Sequence, residues 1–189
     1  MTIAVLENLR QLHDAMLVDL RAHYLGRVQT IEAFDPFPDI EGQDRLPLVT
    51  PALLLEIDSI DPGVEDGTER QALNLSFLVH CVLSFRTEQI QLELREFAAD
   101  LLNHVRYNRW GFPAAVEIPT ALGAQPAEFV PGLMGFDTWI ARWEQVVFIG
   151  SDSWSAAGIP TAEVWFGIAP EIGTAHVSDY WRIDGDTRP

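Results

Sequence analysis

The stretch ALNLSFLVHCVLSF, Ala72–Phe85, decides the fold. Leu73, Leu75, Phe77, Val79, Cys81, Leu83 and Phe85 fall on one side of an extended chain, and Asn74, Ser76, His80 and Ser84 on the other. Only Leu78 and Val82 interrupt the alternation. A period of two marks a strand with one face on a core, and this one is long for a globular strand. A strand of that length is expected to run past its own domain's sheet or to join a sheet built by several subunits.

The segment on its C-terminal side is equally legible. TEQIQLELREFAADLLNHVRY, Thr87–Tyr107, places Ile90, Leu94, Phe97, Leu101 and Val105 on one helical stripe. Thr87 reads as its N-cap, Glu88 lies in the first turn, and Arg106 and Arg109 sit at the far end, as the helix dipole favours. Upstream, Val5, Leu9, Leu12, Met16 and Leu20 predict a first helix from Thr2 to about Tyr24, with Thr2 as cap and Gly26 as stop. A short extended piece, residues 28–33, is expected next. FDPFPDIEGQDRLP, Phe34–Pro47, reads as a loop, PALLLEID, Pro51–Asp58, as a strand, and DPGVEDG, Asp61–Gly67, as a turn between antiparallel neighbours.

Past a break at RWGFP, Arg109–Pro113, AAVEIP suggests a strand and ALGAQPAEFVPGLMG, Ala121–Gly135, a linker. FDTWIARWEQVVFIG, Phe136–Gly150, closes the pattern as a strand with Trp139, Ala141, Trp143, Val147 and Ile149 on one face. The order helix, strands, helix, strands predicts an α+β domain over residues 1–150, an antiparallel sheet with two helices packed on one face. Residues 151–189 form an extended C-terminal arm, apolar but lacking either period.

Bulk properties narrow the function. The chain has 189 residues, enough for one domain that buries roughly 70% of its unfolded surface. No run approaches the ~20 apolar residues of a membrane span, and the N-terminus lacks the basic region of a signal peptide. The single cysteine, Cys81, excludes an internal disulfide and points to a reducing compartment. A formal net charge of −16 opposes phosphate binding and anionic membranes. It suits solubility, or a wall that nucleic acid passes without sticking.

Catalytic signatures are missing. There is no nucleophile elbow, P-loop or Gly-rich dinucleotide fingerprint. The five histidines, His13, His23, His80, His104 and His176, make no i, i+4 pair, so no metal site is expected. His80 reads as a half-buried sheet residue and Cys81 as an inert core thiol. The acidic runs Asp35–Asp44 and Glu56–Glu69 lack calcium-loop spacing and read as solvated loops. No cofactor, metal or catalytic residue is assigned. Of the six tryptophans, Trp110, Trp139 and Trp143 sit inside elements and belong to the core. Trp154, Trp165 and Trp181 lie in the arm; with Phe166 and Tyr180 they are the candidate contacts to another subunit.

The sequence of an amphipathic first helix, the strand PALLLEID, the long alternating strand leading into an acid-led helix, the RWGFP break and the strand ending WEQVVFIG resembles the tail terminator proteins of long-tailed bacteriophages and related neck proteins. The resemblance covers residues 1–150; the arm departs from the smaller terminators. It implies a structural, non-enzymatic virion protein, assembled in the host cytoplasm. It also implies a homo-oligomer, a hexameric ring capping the tail tube, with tube, sheath and head–tail connector proteins as partners and DNA passing through its lumen unbound. Another neck, head-completion or baseplate component is the nearest alternative, and a small ligand-binding α+β domain or enzyme the more distant one.

Overall fold

The computed structural model describes residues 5–34, 48–127, 135–151, 165–170 and 172–182. The chain divides into two compact units, Met1–Ser153 and Trp154–Pro189. The first is a mixed α+β fold. Its elements are α1 (Leu9–His23), β1 (Thr30–Ala33), β2 (Ala52–Pro62), β3 (Gln71–Ser84), α2 (Ile90–Val105), β4 (Thr120–Pro126) and β5 (Phe136–Ile149). The strands form one sheet in the order β1-β2-β3-β5-β4. Neighbours are antiparallel except for the edge strand β1, which runs parallel to β2. The sheet is therefore mixed rather than wholly antiparallel.

The alternation in β3 sets the layers. Its odd-numbered residues Leu75, Phe77, Val79 and Cys81 are fully buried. Register carries the same face to Leu53, Leu55 and Ile57 of β2 and to Trp139, Ala141, Trp143 and Val147 of β5. Both helices lie in the core cluster on this side, α1 through Leu12, Met16, Leu17 and Leu20 and α2 through Ala98, Leu101 and Val105. Phe77 stacks on Trp143 at 5.3 Å between ring centres, and Trp110 adds a third ring 6.2 Å from Trp143. Trp110 and Trp143 are buried, whereas Trp139 is half-buried.

Local chemistry shifts several boundaries. α1 begins at Leu9, not Thr2, because the Asn8 side chain accepts the Gln11 N–H at 2.9 Å and ends the preceding extended segment. Thr2 itself lies outside the described residues. Thr87 does not cap α2: its N–H donates to Ser84 O at 2.9 Å in a turn, and the cap is Gln89, in a left-handed conformation with φ 50° and no side-chain bond. The run AAVEIP supplies only a bridge, Val116 to Val147, while the expected linker contains β4. β2 continues through Asp61 and Pro62, into what reads as turn, across a bulge between Ile57 and Ser59. At Gly63 any Cβ would lie 2.9 Å from the backbone of Ala72 and Leu73, so only glycine admits this approach.

Two polar devices tie the layers. Arg21 of α1 donates through Nε and Nη2 to Ile31 O of β1, at 3.0 and 2.7 Å. Gln145, 1% exposed in β5, accepts from Trp110 Nε1 at 2.9 Å and donates to Asn108 O and Glu117 O at 2.9 and 2.7 Å. Among the described residues three buried side-chain atoms have no hydrogen-bond partner: His80 Nδ1, Trp143 Nε1 and the Tyr24 hydroxyl. The Tyr24 hydroxyl lies beside Asp100. Burial, and then the neighbouring Asp100 carboxylate, push its ionisation far above the usual phenol range. Tyr24→Phe is therefore expected to change stability by less than about 1 kcal/mol, or to raise it slightly. A thermal melt checks this; a loss above about 2 kcal/mol would show that the hydroxyl has a partner.

Candidate assembly surfaces

Strand and helix lengths do not match. β3 and β5, with 14 residues each, span roughly 45 Å at about 3.3 Å per residue. α1 and α2, with 15 and 16 residues, span roughly 23 Å at about 1.5 Å per residue. Two helices of that length cannot cover the whole buried face, and a hollow opens at each end.

The first is an open groove of about 680 Å³ beside the start of α1. Leu9, Ile60, Leu73 and Ile149 supply its apolar surface, and Glu7, Asn8, Arg10 and Gln71 its rim. It continues the core outward: Leu73 is 9% exposed and Ile60 54%. Glu7 and Arg10 cancel, so the groove is neutral in a chain of charge −16.

The second hollow, about 330 Å³, lies beside the end of α1 and is acidic, with Glu93, Glu96 and Asp100 on α2 and Tyr24, Arg27 and Leu83 opposite. Arg27 lies over the Tyr24 ring at 4.7 Å and pairs with Asp100 at 3.4 Å, so it already occupies the cation position. Beside it the helices meet through a polar cluster. His104 Nε2 lies 2.6 Å from Asp19 Oδ2, Asn108 donates to the same oxygen at 2.9 Å, and His23 stacks on His104 at 3.9 Å. Burial, then the adjacent His104 and Arg27 charges, lower the pKa of His23 below 6.5, with Asp100 and Asp19 opposing. The unfolded chain therefore binds this proton more readily, and stability falls as pH drops below 6.5. His23 is exposed, so solvent screens the effect. An NMR titration should place His23 below the free-histidine value; a midpoint above 6.5 would contradict the stacked arrangement.

The second unit contains β6 (Trp165–Phe166) and β7 (Trp181–Arg182), paired antiparallel with Trp165 opposite Arg182 and Phe166 opposite Trp181. A 3₁₀ turn, Thr174–Asp179, lies between them. Short-range chemistry makes this hairpin. The Tyr180 ring occupies the space of a Gly167 side chain, 2.9 Å from where its Cβ would be, and the Tyr180 hydroxyl accepts the Gly173 N–H at 2.8 Å. His176 Nδ1 lies 3.3 Å from Asp179 Oδ2. None of the unit's residues whose exposure is described is buried. Phe166, Ile168, Ile172 and Val177 are 50%, 65%, 53% and 57% exposed.

The five residues expected to contact a neighbour thus have different places. Trp154 lies outside the described residues. Trp165 and Trp181 form the two strands of the hairpin, and Phe166 shows half its surface. Tyr180 braces the hairpin from within. Ile168, Ile172 and Val177 were missed because isolated aliphatic residues carry no signal without a fold around them. Elsewhere, among the described residues, no cluster of three His, Cys, Asp or Glu side chains is placed to hold a metal ion. His80, 4% exposed, faces Glu56 at 3.1 Å and stacks on Phe34 at 4.2 Å. Cys81 faces the opposite side of the sheet, where burial raises its thiol pKa well above the usual range. The acidic run at Asp35–Asp44 lies outside the described residues. In the other run, a hydrogen bond from Thr68, then contacts with Arg70, lower Asp66 to about 2. No described helix is long and apolar enough to cross a membrane. The chain matches no family model, and a search of curated proteins gives no match.

Proposed function

We propose that this chain is a structural subunit of a bacteriophage tail, a tail terminator that forms a hexameric ring on the tail tube and joins it to the neck. The observation that carries this reading is the second unit. A hairpin with four large apolar side chains at least half exposed, on a chain of charge −16, is built for a protein surface. The α+β body supports the reading through its element order, the one on which the resemblance to tail terminators rests. The acidity suits a lumen that passes DNA without holding it.

Electron microscopy of purified protein mixed with tail tubes tests this. The expected result is a ring of density at one tube end that stops growth by added tube subunits. Tubes that elongate as before, with no terminal density, would exclude the terminator role. Binding at a neck or baseplate instead would favour another virion component.

A further inference from the structure

We infer that the apolar groove beside α1 receives the C-terminal hairpin of a second copy of this chain, so that the subunit contact is heterologous. The inference rests on the ring reading and names the two surfaces that would close it.

Charge selects the occupant. At −16 per copy, two chains repel wherever their acidic surfaces meet. The groove escapes this repulsion because Glu7 and Arg10 balance on its rim. The hairpin is nearly neutral as well: residues 165–182 hold Glu171, Asp179 and Arg182, a formal charge of −1 with His neutral. A basic partner or nucleic acid would call for charge on the hairpin, and its exposed surface is aliphatic instead. Volume agrees in scale: about 680 Å³ accommodates several side chains of the size of Ile168, Ile172 and Val177. The groove and the hairpin are different patches of the same chain, so each copy offers one of each. Such contacts propagate head to tail and close into a ring when the rotation permits.

Two variants of the full-length chain test the pairing, Ile60→Asp in the groove and Ile168→Asp with Val177→Asp in the hairpin. All three positions are more than half exposed, so folding should survive, as circular dichroism checks. Each variant should weaken assembly by about tenfold or more, since an unpaired carboxylate would enter an apolar contact. Cross-linking reads the contact directly. Copies carrying Ile60→Cys, mixed with differently tagged copies carrying Val177→Cys, should be joined to each other by a short bismaleimide.

Rings that persist in Ile60→Asp would overturn this inference and leave the ring reading standing. A chain with both cysteines that links only to itself would show the hairpin folding onto its own body, also overturning it. A wild-type chain that never assembles would end both.

Discussion

Gln145→Ala is expected to lower the melting temperature of the chain by roughly 6–12 °C. Gln145 is 1% exposed and bridges three groups: the Trp110 indole, Asn108 O and Glu117 O. Alanine would strand the indole N–H in the core and leave a void. Unsatisfied buried groups cost about 1–3 kcal/mol each. Water can reach the carbonyl of exposed Glu117, so about 3 kcal/mol in total is a reasonable sum. For a chain of this length each kcal/mol shifts the melting point by roughly 2–4 °C. Glu144→Ala, one residue earlier and exposed, is the control and should change stability by less than about 0.5 kcal/mol. Equal melting of the two variants would mean that the Trp110 segment is held by packing alone.

Cutting the chain after Ser153 is expected to leave the body intact and abolish assembly. Among the described residues every buried member of the core cluster lies between Leu6 and Val147. The truncated chain should therefore melt within about 3 °C of the full-length monomer, under about 1 kcal/mol. Loss of self-association should be complete, because several interface anchors go at once and one alone commonly costs about 2 kcal/mol. A melting point lowered by about 10 °C or more would make the hairpin part of the body's core.

The reach of the sequence depended on how much of each element's structure was local. β3 and β5 were legible because alternation over many residues has no other explanation, and the helix stripes because α1 and α2 bury one face each. β4 was not. TALGAQP has small residues and low strand propensity; it is a strand because β5 offers an edge, a tertiary effect that local pattern omits. The parallel course of β1 was also hidden, since a four-residue strand has the same alternation in either direction. Thr87 followed by Glu88 resembled a cap, yet the chain needed those residues to turn out of β3.

At the surfaces the division is similar. The arm's apolar, aperiodic composition raised the expectation of a partner surface, and its described part leaves Phe166, Ile168, Ile172 and Val177 at least half exposed. The hairpin within it depends on Tyr180 reaching Gly167 and Gly173, which no spacing rule describes. The groove was invisible because it arises from a mismatch between strand and helix lengths. Gln145 carries no signal in WEQVVFIG, because its partners Trp110, Asn108 and Glu117 are distant in sequence.

The most direct test of the assembly reading is the mass of the full-length chain, by light scattering after size exclusion, over a range of concentrations and with and without tube protein. The account predicts a hexamer, formed alone or on the tube end, and a monomer in both conditions for the chain cut after Ser153. A full-length chain that stays monomeric at every concentration, and on the tube, would contradict it.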